Sequence, residues 1–302
     1  MPEYTPPSQQ ALDWVLEQSV GTRIVRIERL FGGITADMDR IVVDDPDGRI
    51  DEVVLRRWAP SGPVDDLAAQ VDQEAAALQA VQHHRIPGPH LVAVDRTGER
   101  AGAPAVLMTA VPGQVELAPR DLDGWVERLA DTLVEIHAAP PTLTTPSRGW
   151  FDPDHDRDWI ADSGLRRDAL QIADGDLDGL PTVLTHGDYQ HFNVLWQDGR
   201  VSGVVDWTMA GIGPRGVDVG HCRLNLAVLF SSGAARTFLD RYQSRSGEVV
   251  DAVGDLRGLL QWSPHWQEFI PIQVNGRASV DLAGMQQRVV DTIKETVTRV
   301  SL

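Results

Sequence analysis

LTHGDYQHFNVLW, residues 184–196, is the stretch on which the reading of this chain turns. Its ends are apolar, as in short buried strands. Its middle sets His186, Asp188 and Asn193 at fixed steps. Shortly afterwards VVDWTMAGIG, residues 204–213, places Asp206 at the end of a second apolar run. Two carboxylates and one carboxamide on loops that leave buried strands suit a particular chemistry. Oxygen ligands hold a hard cation, and a fixed carboxylate orients a hydroxyl and takes its proton.

Working outward, TVLTHGD and RVSGVVDW read as two short strands, each followed by an irregular loop. Helical patterns flank them. Residues 122–139 carry Leu122, Trp125, Leu129, Leu133 and Ile136 on one face, and residues 281–300 carry Leu282, Met285, Val289, Ile293 and Val297 likewise. The first third is different. IVRIERLFGGITADMDRIVVDD, residues 24–45, gives a strand, a Gly32-Gly33 turn and a second strand over 39–43. DPDGR is a turn signal, DEVVLRRW a third strand, and HLVAVDRTG and PAVLMTAV two more. The Ala-rich stretch 64–84 predicts one helix among them. The pattern is an α+β chain in two lobes: residues 1–111, a sheet plus one helix, and residues 112–302, mostly helical. VPG at 111–113 is placed as the hinge.

The helix at 64–84 carries an anomaly. Its inward stripe steps Leu67, Val71, Glu74, Leu78, Val81, with an acid in the middle. Either Glu74 reaches water from a narrow stripe, or it is buried and paired, since an unpaired buried charge costs several kcal/mol. VVLRRW supplies Arg56 and Arg57, which point to opposite faces of their strand, so one of them can reach Glu74.

Composition bounds the function. A formal net charge of −17 disfavours nucleic acid, whose phosphates need a basic surface, and is compatible with a cationic small molecule. The single cysteine, Cys222, rules out an intrachain disulfide. The N-terminal residues lack the basic and apolar regions of a signal peptide, and no run has the length of a membrane span, so the expectation is a cytoplasmic protein with no membrane partner. The only lysine is Lys294, which excludes any mechanism that needs a lysine in the first half.

HGDYQHFN followed by GVVDW and GPRGVD resembles the aminoglycoside phosphotransferase family, the small-molecule branch of the protein-kinase-like fold. The resemblance runs over roughly residues 25–245. It implies ATP or GTP as phosphate donor, Mg²⁺, and a small-molecule hydroxyl as acceptor. It also implies roles for residues here: Asp188 as catalytic base, Asn193 and Asp206 as metal ligands, and His186 and Asp218 as braces of the catalytic region. Gly32 and Gly33 would lie over the phosphates, with Arg56 and Glu74 as the phosphate clamp. Met108 would pack beside adenine, and the Thr109 carbonyl and Val111 amide would bond its edges. The clamp departs from the kinase pattern, an arginine standing where kinases have lysine, although its fork still suits phosphate oxygens.

Other residues carry weaker signals. His186, His191 and His221 could be considered for zinc, but they lack a tight ligand spacing. Trp207 reads as packing. Asp152, Asp154, Asp156 and Asp158 alternate along WFDPDHDRDWI. They form either a solvated loop or an acidic wall for a cationic acceptor, with Glu268 and Asp281 as further candidates. Two other functions remain open at this point: a nucleotide-binding pseudoenzyme acting by interaction, and a metal-dependent hydrolase. The acceptor is not legible, because the family phosphorylates aminoglycosides, macrolides, choline, sugars and other metabolites.

Overall fold

The computed structural model describes residues 4–19, 21–30, 36–45, 47–58, 64–147 and 149–300, with side chains omitted at 64–66. The chain divides into two compact units, Met1–Pro112 and Gly113–Leu302.

The first unit contains α1 (Gln9–Gln18), β1 (Arg23–Arg29), β2 (Ala36–Asp44), β3 (Ile50–Trp58), α2 (Val64–His84), β4 (Leu91–Asp95) and β5 (Ala105–Thr109). Its five strands form an antiparallel sheet in the order β1-β2-β3-β5-β4. Alternation along β3 sends Val53, Leu55 and Arg57 to one face and Val54, Arg56 and Trp58 to the other. The first face is covered by α1, whose Ala11, Trp14 and Val15 share a core with Ile41, Val43, Val53, Leu55 and Leu107. Ser8 starts this helix, its side chain accepting the Ala11 N–H. The spacing 11, 14, 15 is a helical stripe. The helix at 64–84 appears as expected, with Leu67, Val71, Glu74, Leu78 and Val81 all buried. It packs on β4 and β5. Each buried aliphatic side chain contributes roughly 1.5–3 kcal/mol, which holds the helix on the sheet.

The second unit contains β6 (Gln114–Val115), α3 (Leu122–Ala138), α4 (Ser163–Ala173), β7 (Thr182–Thr185), β8 (Val194–Gln197), β9 (Arg200–Val204) and β10 (Gly211–Pro214). It continues with α5 (Arg215–Leu229), α6 (Ser232–Ser246), α7 (Ala252–Leu259), α8 (Phe269–Val274) and α9 (Met285–Val300). The strands make two small sheets, β10-β7 and β6-β8-β9. At the centre lies α5, packed against α6, α7, α9 and β7. It crosses α7 so closely that a Cβ on Gly220 would sit 2.1 Å from the Asp255 carbonyl oxygen, and one on Gly258 2.4 Å from the His221 nitrogen.

One expectation changes. The helix predicted from 281 begins at Met285, and Leu282 is 55% exposed rather than on the inner face. Asp281 accepts the Gly284 N–H and so closes a turn ahead of the helix. Among the described residues, no helix is long and apolar enough to cross a membrane.

Candidate active site

The second unit assembles the motif residues at the ends of its short strands. After β7 the chain leaves Thr185 and passes through His186, Gly187 and Asp188. Gly187 has φ +80°, and a Cβ there would lie 2.2 Å from the Met209 carbonyl oxygen, so the position needs glycine on both counts. A single 3₁₀ turn, His191–Asn193, leads into β8. Asp206 follows β9 with φ 66° and ψ 61°, a left-handed conformation that Asp tolerates better than most residues.

Hydrogen bonds tie these loops together. His186 Nε2 donates to the Val205 carbonyl (3.0 Å), and its Nδ1 accepts the Asp188 N–H (3.2 Å). The Val205 N–H donates to the Asn193 carbonyl at 2.8 Å. Asp218 on α5 accepts the N–H groups of His186 (2.7 Å) and Gly187 (2.8 Å), which fixes the start of the loop. Burial raises the Asp218 pKa. The hydrogen bond from the His137 ring and the main-chain N–H of His186 outweigh it, so the group sits below the usual carboxylate value. The His137 ring is held in turn by the Tyr242 hydroxyl at 2.7 Å.

The Asp188 carboxylate receives several donors. Asn193 Nδ2 donates to its Oδ2 (2.9 Å) and to its main-chain carbonyl (2.8 Å). Gln190 Nε2 donates to Oδ1 at 2.9 Å, and His221 Nε2 lies 2.8 Å from the same oxygen. With its amide nitrogen committed to Asp188, Asn193 turns its Oδ1 away from that carboxylate. Asp206 Oδ1 accepts the Thr208 hydroxyl at 2.9 Å.

A magnesium ion fits this donor set. No group of three His, Cys, Asp or Glu residues among those described could hold a metal, so an all-protein cage is absent. Mg²⁺ needs no such cage: one or two protein oxygens serve when phosphate and water complete its octahedron. Asn193 Oδ1 and the Asp206 carboxylate are oxygens of that kind. The three histidines do not form a zinc site. His186 spends both ring nitrogens on the main chain, and His221 faces Asp188 and Gln261. The His191 ring is packed among Trp125, Phe192 and Phe230.

Residues 28–259 match the family described as "Phosphotransferase enzyme family" (APH). The chain belongs to this phosphotransferase family. Solved structures share the fold over nearly the whole chain. Aminoglycoside phosphotransferase APH(4)-Ia, solved with ADP and hygromycin B, is 18% identical over 94% of this chain and 97% of that one, with a TM-score of 0.58. Macrolide 2′-phosphotransferase MphH from Brachybacterium faecium is 17% identical over 93% and 97%, TM-score 0.55. The streptomycin and ATP complex of APH(2″)-IIa is 15% identical over 85% and 89%, TM-score 0.54. No curated protein sequence matches the chain. The fold is thus the protein-kinase-like fold of these phosphotransferases.

Elsewhere in the phosphotransferase the expected residues stand as follows. In the first unit, Arg56 Nη1 donates to Glu74 Oε1 at 3.1 Å, the side chains being 2% and 1% exposed, so the acid in the α2 stripe is buried and paired. The Arg56 guanidinium also lies over the Trp58 ring, 5.2 Å from its centroid. Arg57 is buried on the opposite face, bonded to Asp39 Oδ2 (2.9 Å) and to the Thr5 and Pro6 carbonyls. Met108 is buried near the end of β5, and Thr109 and Val111 are half-buried. Gly32 and Gly33 lie outside the described residues.

In the second unit the row of acids serves local turns. Asp152 Oδ1 accepts the Asp154 N–H, Asp156 Oδ1 accepts the Asp158 N–H, and Asp158 pairs with Arg166. Buried Arg157 anchors this loop by donating to the Asp152, His155 and Leu260 carbonyls. Glu268 is exposed beside His265. No described contact joins these acids to Asp188. Trp207 is fully buried, its ring against His186, and so is packing. Sequence reading assigned no role to Gln190 or Gln261 and gave His221 none beyond the unsupported zinc idea. The available signal was the position of His221, one helical turn past Asp218.

Proposed function

We propose that this phosphotransferase moves the γ-phosphate of ATP or GTP to a hydroxyl of a small molecule, with Asp188 as the group that receives the hydroxyl proton. The observation that carries the reading is the donor arrangement at Asp188: its carboxylate is fixed by the amide N–H groups of Asn193 and Gln190, so that Asn193 meets Asp188 through nitrogen and not through its oxygen. The acceptor O–H would donate to the carboxylate as its oxygen approaches the γ-phosphorus. The new O–P bond forms, the bond to the β-phosphate oxygen breaks, and the proton passes to Asp188. Asn193 Oδ1 and Asp206 would hold Mg²⁺, which supplies charge neutralisation at the phosphates. In the first unit, Arg56, braced by Glu74, would bond phosphate oxygens, Gly32 and Gly33 would cover them, and Met108, Thr109 and Val111 would receive the base. His186 and Asp218 would hold the loop. A net charge of −17 is compatible with a cationic acceptor, and Asp152, Asp154, Asp156, Asp158 and Glu268 are the acids proposed to attract it.

The relatives suggest aminoglycosides and macrolides for the test panel, and the family resemblance adds choline and sugars, each with MgATP and MgGTP. The expected result is that one class accelerates nucleoside diphosphate release and gains a phosphate. No acceleration by any compound, together with no Mg²⁺-dependent nucleotide binding in a thermal-shift assay, would overturn the proposal.

A further inference from the structure

Helix α5 delivers two side chains to the loop from one face, since residues three apart are neighbours on a helix. Asp218 holds the loop's first N–H groups. His221, the second, reaches the carboxylate itself. Its Nε2 lies 2.8 Å from Asp188 Oδ1, and its Nδ1 lies 2.9 Å from Gln261 Oε1, just beyond α7. The close crossing of α5 and α7 at Gly220 and Gly258 brings these two residues together. Asn225 Nδ2 donates to the His221 carbonyl at 3.0 Å and also lies 3.3 Å from His221 Nε2, farther than the 2.8 Å that separates this nitrogen from Asp188 Oδ1.

We propose that His221 is a positioning residue for phosphoryl transfer: its Nε2–H holds Oδ1 of Asp188, so that the carboxylate turns one remaining lone pair to the acceptor hydroxyl. The proposal rests on the reading of Asp188 given above. A carboxylate has about four acceptor sites. His221 and Gln190 occupy Oδ1 and Asn193 occupies Oδ2, which leaves room for one further donor. The ring's role does not depend on its charge. If Gln261 presents its carbonyl, both ring nitrogens donate; if it presents its NH₂, Nδ1 accepts and Nε2 still carries the proton that faces Asp188. Burial opposes the charged ring, but the hydrogen bond and charge of Asp188, then Gln261 and Asp218, outweigh it, and its pKa is raised. The titratable groups facing the ring are Asp188 on the loop, Asp218 on its own helix and His191 on the 3₁₀ turn; α7's side presents the neutral Gln261.

Two amides of equal polarity test this. Gln at 221 places its N–H near the position of Nε2, whereas Asn reaches only as far as Nδ1. With MgATP and the fastest acceptor of the panel, or water if none is faster, His221→Gln should lose about threefold in kcat and His221→Asn about 10–100-fold, with KM for MgATP unchanged in both. Equal kcat for the two folded variants overturns the proposal. Should either fail to fold, proteins that keep His221 decide: by ¹⁵N-resolved NMR, the His221 titration midpoint should be lower in Asp188→Asn than in the parent, and an identical midpoint overturns the proposal. The two readings fail separately. Parental turnover in Asp188→Asn defeats the phosphotransfer role of Asp188. An inactive Asp188→Asn beside a fully active His221→Asn defeats only the role of His221.

Discussion

Asp218 is buried at the point where β7 ends, and its charge is stabilised there by main-chain N–H groups and His137. Its folded pKa is lowered, so between the folded and unfolded values the unfolded chain binds the extra proton. Its stabilising contribution is therefore present above the ordinary carboxylate pKa and is lost as pH falls through the folded value. Urea unfolding of the parent should weaken more steeply below about pH 4 than that of Asp218→Asn, which lacks the titrating group. Parallel pH profiles would contradict this. Asp206 poses a different question, because its left-handed backbone limits what can replace it. Asn tolerates that conformation. Asp206→Asn should therefore keep the fold but remove the charge, weakening Mg²⁺-dependent nucleotide binding more than binding in EDTA. Equal affinity to the parent in both conditions would make Asp206 structural.

At the scale of elements, β3 separates two neighbouring arginines. Arg56 meets Glu74 under α2, and Arg57 meets Asp39 on the α1 face. Glu74→Ala would leave a buried guanidinium without its carboxylate and should cost about 3–5 kcal/mol. Arg56→Lys should weaken nucleotide binding modestly, whereas Arg57→Lys should leave it unchanged and lower stability through its lost fork. The reverse contrast in nucleotide affinity would move the clamp to Arg57. The α5–α7 crossing gives a second prediction. Gly220→Ala forces a methyl onto a main-chain carbonyl, which no rotamer relieves. A cost of about 2 kcal/mol or more is expected, a fall in Tm of roughly 4–8 °C; a change under about 1 °C would contradict the packing described. These elements also explain what the sequence disclosed. The helix at 64–84 was legible because its apolar stripe is long and regular. The short α1 was not separated from its polar surroundings, although Ser8 and the 11, 14, 15 spacing signalled it. Helix α5 hides for the opposite reason: 12 of its 15 residues are buried, so no polar face alternates with an apolar one.

Across the whole molecule, the two units divide the proposed labour. The first carries the Arg56–Glu74 pair, and the second carries the Asp188 loop with its supports. The loop residues were legible because HGDYQHFN is local, each residue a fixed step from the next. His221 and Gln261 were not, because only the packing of α5 on α7 brings them to Asp188 from 33 and 73 positions away. The acidic row shows what alternation alone leaves out: Asp152 and Asp156 each accept an N–H of their own turn, a local bond that the spacing does not reveal. The central claim is that Asp188 acts on the acceptor hydroxyl rather than on the nucleotide. The most direct measurement compares Asp188→Asn with the parent in two assays, MgATP affinity and acceptor-dependent ADP release. Affinity should stay within about threefold while turnover falls roughly 10²–10⁴-fold. Turnover within about threefold of the parent would contradict the claim.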